Sequence, residues 1–193
     1  MKEQIRRMIV AMLAFTLILG IFYPVFISIV GHALFPDIAD GGIVKNKENQ
    51  VIGSKFIGQN FSNPRYFHPR PSYAGENGYD AMASGGSNLG LSSQKLQDTL
   101  LKRLESYRLE NEIPMTEMIP IDAITASASG LDPHISLANA NLQAVRVAKA
   151  RNMSLEKLQK IIRKESSGRW LGLFGEPRMN VLLMNLKLDE MSD

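Results

Sequence analysis

One stretch of the chain differs from all the rest in its hydrophobic pattern. From Met8 to Phe35, 28 residues pass without an Asp, Glu, Lys or Arg. An α-helix needs only about 20 to cross a hydrocarbon core of about 30 Å. In lipid every backbone N–H and C=O must be paired within the segment, which a helix achieves and a loop does not. The pattern predicts a transmembrane helix over 8–35, preceded by a basic arm over 1–7 and followed by a soluble domain over 36–193. A cleaved signal peptide would open on the same cations, Lys2, Arg6 and Arg7, and Gly31 and Ala33 have the spacing of a cleavage site. Its apolar region, however, would span only about 7–15 residues. A buried helix of a soluble protein is the remaining alternative. Gly20 and Pro24 fall mid-span, where neighbouring helices can re-satisfy freed backbone groups. Gly20, Ser28 and Gly31 are small enough to admit another helix at close range, or are simply ordinary membrane-helix composition.

Beyond Pro36 the pattern changes element by element. Ile43–Val44 and Gln50–Ile57 flank a polar turn and predict a short hairpin, with Gly53 and Gly58 marking a bulge or the end of its second strand. Gln59–Ser93 has no periodicity and is rich in Gly, Ser, Asn, Pro and Tyr. Loops of this length are functional or disordered. Phe61, Tyr66, Phe67, Tyr73 and Tyr79 argue for order, since a solvated coil carries few large apolar groups. Ser92 or Ser93 caps a helix with Leu96, Leu100, Leu104 and Tyr107 on one face, ended by Pro114 at the latest. A second helix is predicted to open just after Asp132-Pro133 and run to Arg151. A third follows Ser154 to about Glu165, with Leu155, Leu158, Ile161 and Ile162 as its inner stripe. In the tail, Leu182, Met184, Leu186 and Leu188 alternate with Asn185, Lys187 and Asp189, the period of a half-buried strand. The expected architecture is α+β: one N-terminal transmembrane helix, then a single soluble domain of helices packed on a small sheet.

Charge adds orientation and removes one class of partner. Three cations and one acid precede the span, and Asp37 and Asp40 follow it. The excess of Lys and Arg keeps the N-terminus cytoplasmic and sends the domain to the outer side of a bacterial plasma membrane. The whole chain is +3 with a pI of about 9.2. Taking the arm's three cations and one acid from totals of 22 and 19 leaves 19 against 18 beyond the span. That near-neutral domain has no basic stripe with which to grip nucleic acid. There are no cysteines, which excludes disulfides and thiolate metal sites.

Candidate chemistry is sparse. His32, His68 and His134 have no spacing that puts two on one face, against the three or four clustered ligands of a zinc site. Ser127, Ser129, Asp132 and His134 suggest a hydrolase, but there is no G-x-S-x-G elbow and triad members are rarely sequence neighbours. Ser129–His134 reads better as a tight turn in which Ser129 and Asp132 bond free N–H groups at the start of the second helix. Ser84-Gly85-Gly86-Ser87 could cradle phosphate, yet no G-x-x-x-x-G-K-[ST] and no nearby lysine accompanies it, so a structural turn is favoured. Arg65 and Arg70, interleaved with Tyr66 and Phe67, either grip a partner's carboxylate or ring or pack over the domain's own aromatics.

These stretches carry a resemblance. Gly53-Ser54, Ile57-Gly58-Gln59, Phe61, Tyr66-Phe67-His68-Pro69-Arg70-Pro71-Ser72, Tyr79-Asp80-Ala81 and Ser84-Gly85-Gly86-Ser87-Asn88-Leu89-Gly90 follow one another in order. Ile124-Thr125-Ala126-Ser127-Ala128-Ser129-Gly130-Leu131-Asp132-Pro133-His134-Ile135-Ser136, Arg146-Val147-Ala148 and Gly175-Glu176-Pro177-Arg178-Met179-Asn180-Val181-Leu182 complete the set. Together with the single span, essentially the whole chain resembles the C subunit of the Kdp potassium-transporting ATPase. Ala128 where the family has glycine and Met179 where it has an aliphatic residue are small departures.

The resemblance implies a non-catalytic, single-pass subunit of a four-subunit inner-membrane complex that takes up K⁺ at the expense of ATP. Its partners would be a channel-like potassium-binding subunit, a P-type ATPase subunit, a small single-helix subunit and membrane lipid. ATP and K⁺ would be handled by the complex, with no cofactor bound directly by this chain. A family proposal instead makes the subunit a catalytic chaperone that raises the ATPase subunit's affinity for ATP, with Ser84–Ser87 likened to an ATPase signature. The predicted topology puts that loop on the opposite side from cytoplasmic ATP, and favours an outer-face role in assembly and stability. Arg65, Phe67, Arg70, Asp80, Ser84 and Asn88 are the candidate partner contacts, and Asp132 and His134 are expected to brace the fold. An anchored hydrolase using Ser129 or His134 is the reading of another class.

Overall fold

The computed structural model describes residues 1–46 and 48–191, which divide into two compact units, Met1–Ser54 and Lys55 onwards. The first unit opens on helices α1 (Lys2–Leu17) and α2 (Tyr23–Leu34), joined through a π-helical turn at Ile18–Phe22 into one helix of 33 residues. That helix is long and apolar enough to cross a membrane, and no side chain of its apolar stretch is buried within the chain. The π-turn has a local cause. Pro24 has no N–H to offer the Gly20 carbonyl, and its ring crowds that oxygen. The helix widens just before it, with the Tyr23 N–H donating to Ile18 O, five residues back. A short helix α3 (Pro36–Ala39) follows.

The predicted hairpin is present as β1 (Ile43–Lys45) and β2 (Val51–Ser54), paired antiparallel. Its bulge lies beside Gly53 rather than at it: Val44 pairs with Gly53 and Lys45 with Val51, so the register shifts across Ile52. The second strand stops at Ser54, short of the expected Ile57.

In the second unit, residues 55–93 contain neither helix nor strand. Helix α4 (Gln94–Glu110) is capped by Ser93, whose hydroxyl accepts the Leu96 N–H. Two expectations fail beyond it. The segment after Asp132-Pro133 begins as strand β3 (His134–Ser136), and helix α5 (Leu137–Ala150) starts only at the cap residue Ser136. Pro133 therefore precedes a strand, and the Ser129 and Asp132 side chains serve the turn rather than a helix terminus. The tail is likewise not a strand beyond its first residues: β4 (Arg178–Asn180) pairs with β3, placing Ile135 opposite Met179. The chain then turns into helix α7 (Val181–Glu190). The even-numbered apolar residues begin inside an unbroken apolar run, Val181–Met184, where period 2 and period 3.6 cannot be told apart. The buried set Val181, Leu182, Met184, Asn185 and Leu188 has helical spacing, and Asn180 caps the helix at the Leu183 N–H. Helix α6 (Leu155–Glu165) forms as expected from its Ser154 cap, burying Leu158 and Ile162.

The core gathers Phe67 of the long loop, Ile135 and Met179 of the β3–β4 pair, Ala140, Ala144 and Val147 of α5, Leu158 and Ile162 of α6, and Val181, Met184 and Leu188 of α7. The fold is α+β: the first unit holds the two-stranded sheet β1–β2, and the second packs α5 and α7 against the two-stranded sheet β3–β4.

Candidate functional site

The region that carries the quoted motifs is the long loop, and buried side chains hold it in place. Phe67 and His68 run extended past helices α5 and α7. Asn185 of α7 accepts the Phe67 N–H at 2.8 Å and donates back to Phe67 O at 3.0 Å. Gln143 of α5 does the same for His68, at 2.7 and 3.1 Å. Each amide side chain acts as a peptide unit of a missing neighbour strand, satisfying one donor and one acceptor that would otherwise be buried unpaired. Both amides are 1% exposed.

Arg146, one turn beyond Gln143 on the same face, extends the clamp. Its Nη1 donates to Pro64 O and Tyr66 O at 2.6 and 3.0 Å, its Nε to Asn111 Oδ1 at 2.9 Å and its Nη2 to Gln143 Oε1 at 3.0 Å. Burial pulls its guanidinium below the usual arginine range, opposed by the charge of Glu110. Glu110 in turn sits 2.7 Å from His68 Nδ1, and that hydrogen bond holds its carboxyl below the ordinary value against the cost of its partial burial. Asn139, on the same face of α5, joins Tyr107 Oη at 2.7 Å, Gln143 Nε2 at 2.8 Å and Asp122 at 3.0 Å. Burial pushes the Tyr107 phenol up, with the Asp122 charge adding to it.

The second support is backbone against backbone. Gly85 N–H and the Ser84 hydroxyl both donate to Ser129 O, at 2.9 and 3.0 Å. Gly130 has φ +67°, and a Cβ there would stand 2.6 Å from Gly85 O. A Cβ on Gly86 would stand 3.0 Å from Ala128 O. This close approach explains Gly86, whereas a Cβ on Gly85 would meet nothing nearer than Tyr73 O at 3.9 Å. Asp132 ties the two strips together: its Oδ2 receives Arg70 Nη1 at 3.0 Å, and its Oδ1 receives the His134 N–H at 3.0 Å with His134 Nδ1 3.4 Å away. Desolvation pushes its carboxyl up, but the His134 hydrogen bonds and the Arg70 charge outweigh it and leave it below the ordinary value. Arg70 also reaches Thr125 O and Ala126 O, and its own carbonyl accepts the Tyr79 hydroxyl at 2.7 Å. Burial pushes the Tyr79 phenol up to about 12.

A family model described as K+-transporting ATPase, c chain, matches residues 5–190. The chain belongs to this family. It is 47% identical over 191 residues to the potassium-transporting ATPase KdpC subunit of Mycobacterium tuberculosis (strain ATCC 25618 / H37Rv), covering 99% of this chain and 100% of that one. The corresponding subunit of Beijerinckia indica is 45% identical over 189 residues, 98% of this chain and 94% of its own. That of Trichlorobacter lovleyi is 44% identical over 190 residues, 98% and 99%.

In this member of the c-chain family the candidate contacts separate into two sets. Phe67 is 0% exposed and belongs to the core, so its ring presents nothing to a partner surface. Arg70 is turned inward onto Asp132, and Asp132 and His134 lie beside it. Arg65, Asp80, Ser84 and Asn88 are exposed. Arg65 is the outermost of a cluster in which Arg151, stacked 5.2 Å from the Tyr66 ring centroid, pairs with Asp189 at 2.8 Å. Asp80 Oδ1 accepts the Met82 N–H at 2.8 Å, and Asn88 holds a left-handed φ of 52°. The composition of the loop did not reveal its clamps. Asn139, Gln143 and Arg146 stand at helical spacing beside the apolar positions of α5, and that polar stripe was the available signal. Arg103 was also missed. It lies 4.9 Å from the Tyr73 ring centroid and lines a cavity of about 390 Å³ with Gly86, Ser87 and Asn88. Among the described residues no group of three or more His, Cys, Asp or Glu is placed to hold a metal ion.

Proposed function

We propose that the chain is a single-pass, non-catalytic subunit of the Kdp potassium-uptake ATPase of a bacterial plasma membrane. Its N-terminus is cytoplasmic, and its domain packs from the outer side on the potassium-binding subunit and stabilises the assembled complex. The observation that carries this reading is the family match over residues 5–190. The 33-residue apolar helix, with its cations at Lys2, Arg6 and Arg7, supports the anchor and its orientation. The inward-facing polar side chains support a bracing role for most of the motif residues, leaving Arg65, Asp80, Ser84 and Asn88 as the proposed contacts. The hydrolase reading is disfavoured: among the described residues Ser129 Oγ bonds Ser127 and the Leu131 N–H while His134 bonds Asp132, and the two do not meet.

A tagged full-length chain should retain the potassium-binding, ATPase and single-helix subunits through detergent purification, and deletion of its gene should abolish ATP-driven K⁺ uptake. Recovery of the chain without those subunits, with uptake intact in its absence, overturns the proposal. The chain has no cysteine, so Ser84→Cys gives one thiol, which a membrane-impermeant reagent should label in cells expressing the chain alone. A second reading, a catalytic chaperone for ATP, draws support from Arg103 beside Ser87. It requires Ser84→Cys to be labelled only after the cytoplasmic face is opened.

A further inference from the structure

Between α6 and β4 the chain forms a small hairpin that the function above does not use. Ser167 and Arg178 exchange backbone hydrogen bonds at 2.9 and 3.0 Å, and Trp170 and Phe174 do so at 2.8 and 3.0 Å. Leu171 and Gly172 make the turn with φ of 51° and 73°. The tip is Trp-Leu-Gly-Leu-Phe. Its four large side chains are all exposed: Trp170 by 69%, Leu171 by 71%, Leu173 by 76% and Phe174 by 61%. The Trp170 and Phe174 rings stand 5.9 Å apart and lean on each other rather than on the core. A contiguous exposed apolar cluster of this kind marks an interaction surface.

The base of the hairpin has the opposite character. Residues 160–178 carry five cations (Lys160, Arg163, Lys164, Arg169 and Arg178) against two acids, Glu165 and Glu176. That segment is +3 in a post-span chain whose total is +1, so the remainder is −2. The Arg169–Glu176 pair, at 2.9 and 3.0 Å, fixes the neck of the hairpin, and Lys160, Arg163, Lys164 and Arg178 are exposed on either side of it in the chain. The tip presents large exposed apolar side chains, and its one side-chain polar group is the Trp170 indole N–H. An apolar tip holding a tryptophan, flanked in the chain by exposed Arg and Lys, matches the layering of a bilayer surface: acyl chains, then the interface where Trp is favoured, then anionic headgroups.

We infer that the Trp170–Phe174 hairpin inserts into the interface of an anionic phospholipid bilayer and gives the domain a second hold on the membrane. The inference rests on the reading of Lys2–Leu34 as a membrane span. Residues 35–54 are the whole connection between that helix and the second unit. A tether of this length keeps the domain at high effective concentration at the surface, so even weak insertion is occupied.

Trp170 is the only tryptophan in the chain, which makes the full-length protein its own probe. Reconstituted in vesicles of mixed zwitterionic and anionic phospholipid, Trp170 should emit to the blue of the urea-unfolded protein. It should lose more than half its intensity to lipids brominated high on the acyl chain, and resist aqueous acrylamide. Leucine-to-serine changes at the tip, L171S with L173S, should reverse both quenching results while leaving the circular dichroism unchanged. Purely zwitterionic vesicles should weaken the bromolipid effect. Protein that co-floats with vesicles while Trp170 stays open to acrylamide and blind to bromolipid overturns the inference, and is the pattern a protein partner as occupant would give. Protein that does not co-float overturns the anchor reading first and this one with it.

Discussion

Asn185 and Gln143 each close a two-point hydrogen bond on one residue of the long loop, and neither has a substitute nearby. Replacing Gln143 with leucine strands the His68 N–H and C=O in the interior and also strips Arg146 of an acceptor. Leaving a buried donor or acceptor unpaired costs about 1–3 kcal/mol, so Gln143→Leu and Asn185→Leu should each lower the stability of the domain by at least that much in urea unfolding. Because the clamps grip adjacent residues, the pair of changes should cost less than the sum of the singles, a coupling that a double-mutant cycle reads directly. Gly130 tests the other support. Alanine there must hold φ at +67° and bring its Cβ to 2.6 Å from Gly85 O, with backbone on both sides unable to yield. Strain of this kind costs on the order of 1–3 kcal/mol. Gly130→Ala should therefore destabilise the domain by about that amount, whereas Gly90→Ala, with open space around it, should change the midpoint little.

Helices α4 and α6 were legible in the sequence because a serine cap and an apolar stripe coincide, and the helix at Lys2–Leu34 because no charge breaks it over 8–35. The start of α5 and the tail were not, for two different reasons. Asp132-Pro133 has the form of a helix opening, but Ile135 is recruited into a pair with Met179, 44 positions downstream. No local pattern encodes that partner. In the tail, the deciding residue is Asn185, which an alternating strand would turn to solvent and which α7 buries against Phe67. The site was legible as motifs, not as geometry: Phe67 stood with the contact candidates although its ring is fully buried and its backbone N–H and C=O are both bonded to Asn185. The helical tail makes a specific demand on Asn180, whose side chain accepts the Leu183 N–H and donates to Lys55 O at 2.7 Å. Losing a cap of this type costs about 0.5–2 kcal/mol. Asn180→Ala should lower the unfolding midpoint accordingly, and Asn180→Asp, which keeps the cap acceptor and loses the Lys55 bond, should recover part of the loss. Equal midpoints for wild type and Asn180→Ala would mean that α7 is set by its apolar face alone.

Across the second unit the displaced ionisations form a consistent pattern that sets the pH range over which it holds together. Asp132 and Glu110 have folded-state values below their ordinary ones, 3.8 and 4.5. Their contribution to stability is complete above those ordinary values and is lost as pH falls through the lower folded ones. Tyr66, Tyr79 and Tyr107 are displaced the other way, all raised from 10.0 chiefly by burial, Tyr79 to about 12. A phenol whose folded value is raised supports the fold fully below pH 10 and withdraws that support as pH climbs towards the folded value, because the unfolded chain releases the proton first. These five groups should therefore add no pH dependence of their own between about 5 and 10, and the stability they contribute should fall at both margins. At the alkaline margin, three of the chain's five tyrosines should ionise together with loss of structure instead of titrating individually near pH 10. Tyrosinate absorbance and far-ultraviolet circular dichroism, followed on the full-length protein in detergent, should share one midpoint above pH 10. Tyr79→Phe removes the Arg70 carbonyl's partner and so should lower stability at pH 7 by about 1 kcal/mol. It also deletes an ionisation that drives alkaline unfolding, so its deficit against wild type should shrink, then reverse, as pH rises past 10. A constant deficit across that range would show that the Tyr79 phenol does not contribute to the alkaline limit.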